Sequence, residues 1–291
     1  MINNSQNRTF PRIKPIGSPP LDVRKPLPEN TVKHKLTFSD DLSIIIGMGT
    51  STRKQREVQQ REQMLLEIGR QMLIEHGFAG LSMDRLAEAT EYSKGTVYQH
   101  FSTKEDLVTA MAAQSIERRL SLFDRAGRMS GRPRERMAAI LVADELFARL
   151  HPHYFRSELI VKMANLEDRA SSDRLQTLER LDSNCSDVVR GLIAESVRIG
   201  DLVLSPPRGE DEIIFGMYSL AIGTHAVVLN HACLLKQWAI GPPFESLRRN
   251  FQALLDGYGI RPLSTEWDYE ATRLRAMKEV FPDECRLAGL D

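Results

Sequence analysis

Leu65, Ile68, Met72 and Leu73 stand at i, i+3, i+7 and i+8, and Gly77 follows as the kind of residue that closes a helix. The same spacing recurs along the rest of the chain, and no stretch shows the convincing alternation of a half-buried strand. Such a chain must bury helix stripes against one another, so the expected fold class is all-α. Its 291 residues leave room for about two domains. Hydrophobic residues at 42% and charged residues at 27% are globular proportions and exclude disorder of the whole chain.

The 39 basic and 39 acidic side chains cancel, so any affinity for nucleic acid has to come from local patches. Cys185, Cys233 and Cys285 are odd in number and widely spaced, which indicates neither a disulfide framework nor a zinc knuckle and fits a reducing cytoplasm. The N-terminal basic residues have no apolar run beside them, so no secretory signal is expected. The greasiest stretch, 218–235, contains His225, Asn230 and His231 and reads as a buried interface helix, not a membrane span.

Residues 1–52 read as a disordered basic tail: the first 35 hold six prolines and seven Lys/Arg against two acids. Within it, "SIIIGMG" at 43–49 is a transient strand or docking segment at most, and Met48 is a second candidate start. Helix one runs from about residue 56. Ser82 offers an N-cap for a short second helix, with Leu81 and Leu86 as a hydrophobic staple, and Ser93 caps a third, stapled by Tyr92 and Val97. Ser102 and Glu105 make a capping box for a fourth, whose buried stripe is Leu107, Met111, Ile116, Leu120 and Phe123. Further helices are expected over 134–150, 156–166, 173–199, 211–235, 244–258 and 266–281, the last stopped by Pro282.

The third helix, "SKGTVYQHF" at 93–101, is the informative one. With Val97 inward and about 100° per residue, Phe101 falls beside it, while Gly95 and Gln99 point nearly opposite, flanked by Thr96 and Tyr98. A glycine inside a helix costs about 1 kcal/mol relative to alanine unless something approaches the backbone closely. Ser93 and Lys94 stand at the helix N-terminus, where free N–H groups favour phosphate. Two short helices joined by a tight turn, the second polar outward, make a helix-turn-helix suited to the major groove; pattern alone equally describes a solvated face. In such a groove Gln99 would pair with an adenine edge and Thr96 with a thymine methyl.

The segment "GFAGLSMDRLAEATEYSKGTVYQHFSTKEDLV", residues 77–108, resembles the DNA-binding segment of the TetR family of bacterial transcriptional regulators, and the helix before it fits as well. That resemblance implies a three-helix DNA-binding domain over 53–103, its helix-turn-helix at about 82–101, and DNA contacts by Ser82, Ser93, Lys94, Gly95, Thr96, Tyr98, Gln99, His100 and Lys104. One position departs from the family pattern: the usual turn glycine is Glu91 here, which puts the turn geometry in question. The resemblance further implies a larger helical domain at 104–260 for effector binding and dimerisation, followed by a C-terminal extension at 261–291 with one amphipathic helix. Double-stranded DNA with a near-palindromic site, a second copy of the chain and an unknown small molecule are the implied partners. Membrane is not among them.

The residues of the C-terminal half add particulars. Asp144 interrupts an apolar stripe that includes Phe147, with His151 one heptad beyond, and a buried acid needs a partner or a polar cavity. Met163, Tyr218 and His225 are comparable candidates for an effector pocket, although such residues also serve as plain core. Helix 244–258, with Leu247, Phe251, Leu254, Leu255 and Tyr258, and the small residues Ala221, Gly223 and Ala226 of helix 211–235 fit a close helix–helix interface. In the last helix Trp267, Ala271, Leu274, Met277 and Phe281 mark the docking face.

An enzyme is the competing class. "HPHY" at 151–154, and His231 with Cys233, look like metal ligands, yet side chains two apart on a helix diverge by about 200°. No phosphate loop, serine elbow or paired-carboxylate motif is present, so neither catalysis, cofactor nor metal is expected. The reading is a homodimeric, ligand-responsive repressor, with a DNA-binding regulator lacking an effector as the alternative. Residues 1–56 carry ten Lys/Arg against four acids, a surplus available to phosphates. Deleting residues 1–47 is expected to flatten the slope of log K against log salt for DNA binding; an unchanged slope would show the tail to be passive.

Overall fold

A computed structural model describes residues 53–164, 169–205 and 209–290. The tail at 1–52, with "SIIIGMG" and Met48, and the side chain of Met163 lie outside the described residues. The described residues are helical, without a strand among them. The helices are α1 (Arg53–Gly80), α2 (Met83–Thr90), α3 (Lys94–His100), α4 (Lys104–Gly127), α5 (Pro133–Leu150), α6 (Pro152–Ala164), α7 (Ser172–Arg198), α8 (Glu210–Asn230), α9 (Ala232–Gln237), α10 (Pro243–Tyr258), α11 (Tyr269–Glu279) and α12 (Pro282–Leu287).

Local chemistry explains most boundaries. Gly77 at φ 67° breaks the helical geometry near the end of α1, as its position after the apolar stripe leads one to expect. Ser93 caps α3 by accepting from Thr96 N–H at 3.1 Å. The α4 cap differs from expectation: Thr103, not Ser102, accepts from Asp106 N–H, and the Asp106 carboxylate returns a bond to Ser102 N–H at 3.1 Å. A carboxylate one carbon shorter than glutamate closes the box one residue later. Helix 211–235 is broken in two at His231, whose backbone leaves helical geometry. The C-terminal helix is likewise two, because Phe281 turns the chain and Pro282 opens α12 at its first position, where a missing N–H costs nothing. Its docking face is also displaced. Thr272 and Ala276 are buried, whereas Leu274 is 53% exposed and Ala271 is exposed.

Two apolar cores result. The first joins Leu65 and Leu73 of α1, Leu86 of α2, Val97 and Phe101 around α3, and Leu107, Met111 and Ile116 of α4. It also takes Val161 from α6 and Leu178 and Cys185 from α7. The second gathers Phe147 and its neighbours on α5 with Leu192 of α7, Met217 of α8, Phe251 of α10 and Phe281, and reaches back to Leu122 and Ala126 of α4. Helix α4 thus belongs to both cores, and the sequence boundary at 103/104 marks the start of a shared helix. Helices α8 and α10 pack closely at Gly216, where a Cβ would lie 2.7 Å from the Tyr258 hydroxyl; Gly223 has open space around it within the chain.

Arg134, fully buried at the start of α5, holds the C-terminal segment in place. Its guanidinium pairs with Asp256 at 2.7 Å, donates to the carbonyl oxygens of Gln252 and Ile260, and stacks 4.8 Å from the Tyr269 ring centre. Removal of the buried guanidinium leaves the Ile260 carbonyl without its side-chain donor, empties the space under Tyr269 and leaves Asp256 to its Ser264 bonds alone. Arg134→Ala is expected to lower unfolding stability by about 3 kcal/mol or more in urea denaturation; a loss below about 1 kcal/mol would mean the network contributes little.

Candidate nucleic-acid interface and effector cavity

Val97 and Phe101 are completely buried and fix the rotation of α3. The opposite side is open: Ser93, Lys94, Gly95 and Gln99 are exposed, Tyr98 is 47% exposed, and Thr96 is half-buried. A Cβ at Gly95 would meet only Ser93 Oγ, 3.8 Å away, so nothing among the described residues explains that glycine. Ser93 Oγ and Thr96 Oγ1 lie 2.9 Å apart and order the first turn. Seven residues with polar groups on one face and a gap in the side-chain wall suit close approach to base edges and phosphates.

The cations at this face are occupied. Lys94 Nζ lies 2.9 Å from Asp84 of α2, an exposed pair whose hydrogen bond and charge raise the lysine pKa above its ordinary value. Asp84 was not anticipated: ten residues separate it from Lys94, and only the crossing of α2 and α3 brings them together. Lys104 Nζ sits 4.4 Å over the Phe78 ring and donates to the Phe78 carbonyl at 3.4 Å. Ser82 precedes α2 in an extended conformation with no side-chain capping bond, and is half-buried.

His100 is a correction. Its side chain is 9% exposed and turned towards α1, with Nδ1 3.7 Å from the Glu62 carboxylate, so the imidazole does not share the open face. The cause is helical phase, since His100 stands three residues after Val97 and so only about 60° from the inward direction. Glu62 also receives Arg174 from α7 at 2.8 Å, and Arg174 donates to the His100 carbonyl at 3.4 Å while stacking 5.1 Å from the Phe101 ring centre. The end of α3 is therefore clasped by α7. Asp106 strengthens the same junction by accepting from Ser171 N–H at 2.6 Å.

The α2–α3 turn accommodates its unusual residue by strain. Glu91 adopts φ 57° and ψ 17°, the left-handed conformation that a glycine takes without a Cβ clash.

A cavity of about 430 Å³ lies among α4 to α8 and α10, bordered by Asp144, Tyr218 and His225 as expected. Phe147 and His151 are not on its wall. Phe147 points into the second core, and His151 packs against Phe147 and Tyr154 at ring distances of 5.3 and 5.6 Å. Burial, with Arg118 and Arg70 nearby, lowers the His151 pKa, so it stays neutral in that cluster.

The polar end of the cavity is a buried network. Asp144 Oδ2 lies 2.5 Å from His225 Nε2, and Arg119 pairs with Glu158 at 2.7 Å, whose other oxygen accepts from the Ser115 hydroxyl. Burial by itself would raise the Asp144 pKa, but the bond and charge of His225, with Arg119 beyond, hold the carboxyl below the usual range. Burial pushes Glu158 up against the pull of Arg119 and Ser115. Cys185, also on the wall, is pushed up to about 12 by burial and remains an unreactive thiol at neutral pH. Arg119, Lys162 and Asp182 on this wall carried no sequence signal, because each takes its meaning from a partner on another helix.

Residues 65–111 match the family model of bacterial regulatory proteins, tetR family. The repressor AcnR of Corynebacterium diphtheriae is 39% identical over 62 residues, covering 21% of this chain and 33% of that protein. The regulator UidR of Escherichia coli K12 is 36% identical over 69 residues, or 24% of this chain and 35% of that one. The chain thus spans about a third of the length of these curated relatives. A bacterial regulatory protein of the tetR family from Rhodococcus RHA1 shares the fold with a TM-score of 0.54 at 16% identity, covering 68% of this chain and 97% of the other.

Because the left-handed turn disfavours a side chain, Glu91→Gly is expected to raise stability by about 1 kcal/mol in thermal unfolding, with the helical content unchanged. A destabilised variant would show that the glutamate side chain itself holds the turn.

Proposed function

We propose that this chain, whose N-terminal helices are a tetR-family DNA-binding domain, acts as a homodimeric, ligand-responsive transcriptional repressor. The observation that carries the reading is the open face of α3, with Gly95, Tyr98 and Gln99 outward over a fully buried Val97 and Phe101. Ser82, Ser93, Lys94, Thr96 and Lys104 complete the surface offered to DNA. Lys94 reaches phosphate by exchanging its bond to Asp84, an exchange between exposed charges that costs little.

Helices α8 and α10 supply the second copy's docking site. Among the described residues, Ile213, Met217 and His225 are the buried ones of α8, while Phe215 is 70% and Tyr218 44% exposed on a helix whose length and composition would also suit a membrane. Pairing two such faces buries that surface and presents two α3 helices to successive major grooves about 34 to 36 Å apart, which asks for a near-palindromic site. The cavity is the effector site. Its wall includes Arg119 and Phe123 of α4 and Asp182 and Cys185 of α7, the two helices that hold the DNA-binding helices in place. A ligand that favours one placement of α4 and α7 therefore alters the separation of the two α3 helices, and its differential affinity for the two placements is the coupling.

Tyr98→Ala and Lys94→Ala are each expected to abolish or strongly weaken retention of promoter DNA in a gel-shift assay, while sedimentation still reports a dimer. Loss of the dimer in either variant, or undiminished DNA retention, would refute these roles.

A further inference from the structure

The cavity wall is mainly apolar, with Phe123, Ile140, Phe155, Val189, Ile222 and Phe251 among its residues. Its charged side chains already have partners within the chain. Arg119 pairs with Glu158 at 2.7 Å, His225 with Asp144 at 2.5 Å, Lys162 with Asp182 at 2.7 Å, and Asp211 with Arg190 at 2.7 Å. A ligand with a net charge would enter this space without a free counter-charge, and desolvating an unmatched ion opposes binding strongly. An uncharged body loses nothing of the kind, and a volume of about 430 Å³ lies in the range of small-molecule sites.

Asp144 keeps spare accepting capacity, and the neighbouring Arg119 keeps a buried donor, Nε, without a hydrogen-bond partner among the described residues. Asp144 uses Oδ2 for His225, while its Oδ1 lies 3.9 Å from Arg119 Nη1, beyond hydrogen-bond length. The carboxylate is ionised, since His225 and Arg119 hold it below the usual range despite burial. An ionised carboxylate accepts and does not donate, so the group it lacks is an N–H or O–H. His225 cannot swing away to serve instead, because it is 2% exposed and packed 4.1 Å from the Phe155 ring centre and 5.5 Å from that of Phe244.

We propose that the cavity takes an uncharged, largely apolar molecule bearing one hydrogen-bond donor, a hydroxyl or an N–H, that seats on Asp144 Oδ1. This rests on the reading of the cavity as the effector site and specifies the chemistry of what enters it. Aromatic or aliphatic carbon lies along the phenylalanine wall, and the donor points at the α5 carboxylate where α4, α6 and α8 converge. Acids are disfavoured by the same carboxylate, and cations by the like charges of Arg119 and Lys162 on the wall.

The test is calorimetry on the full chain without DNA, using four probes of matched shape: para-octylphenol, para-octylanisole, para-octylbenzoate and para-octylbenzylamine. The phenol is expected to bind roughly tenfold or more tightly than each of the others, as suits one hydrogen bond to a charged acceptor. Asp144→Asn is expected to cut the phenol's advantage over the anisole several-fold, and Val189→Phe, which adds bulk on the α7 side of the wall, to weaken binding of both. Equal binding of phenol and anisole, tighter binding of either ion, or no binding of any probe would overturn the proposal. Should Asp144→Asn not fold, the four probes on the unaltered protein decide the matter. A gel shift with the phenol reads the regulatory role separately: phenol binding without release of DNA would leave the ligand class standing and remove the ligand response.

Discussion

Helix α4 is common to both cores, and the rest of the architecture depends on that sharing. Its 24 residues span about 36 Å at 1.5 Å per residue. Leu107, Met111 and Ile116 complete the core around α3, while Leu122 and Ala126 enter the second. A helix so committed cannot rotate or slide at one end without disturbing close-packed side chains at the other. Arg119 stands between the two commitments and is tied to Glu158 on α6, with Asp144 on α5 at 3.9 Å. Buried ion pairs of this kind add little net stability over apolar replacements, but each member becomes costly to displace alone. Their effect here is to specify how α4, α5, α6 and α8 register around the cavity.

Helix α7 provides a second line between the cavity and α3. Asp182, Cys185 and Val189 border the cavity, and about two turns earlier Arg174 grips Glu62, the His100 carbonyl and the Phe101 ring. Within α7 these positions are rigidly related, so a displacement at the wall appears at the end of α3. Tyr154 of α6 adds a third tie. Arg70 of α1 lies 3.7 Å from its ring centre and Arg118 of α4 lies 4.6 Å away on the same ring. Three helices that meet the cavity thus also touch the N-terminal helices α1 to α3, each through a charged or aromatic group whose geometry is directional.

Much of this was legible before any coordinates. Apolar spacing along α1, α5 and α10, the Ser93 cap and the Gly77 stop are local properties, set by side chains within a turn of one another. The outward set on α3 followed from one rotation angle and the burial of Val97. Where that reasoning slipped, a neighbour had been left out: His100 turns to α1, Thr103 takes the cap that Ser102 was expected to hold, and Leu274 is exposed because α11 docks through Ala276. For His100 and Leu274 a tertiary contact selected among positions that local chemistry left nearly equivalent, and at Thr103 the shorter reach of Asp106 decided the cap.

The amino-acid order by itself determined that the chain is helical, where most helices begin and end, and which side of α3 carries hydrogen-bonding groups. Those outcomes depend on interactions across three or four residues, which a linear reading contains. Only the tertiary structure decided that Lys94 is held by Asp84, that Asp144 is matched with His225, and that α4 and α7 run from the cavity to the core under α3. A side chain's partner 81 residues away is a fact about helix crossings, and crossings are chosen by the packing of whole faces, a quantity no local pattern encodes.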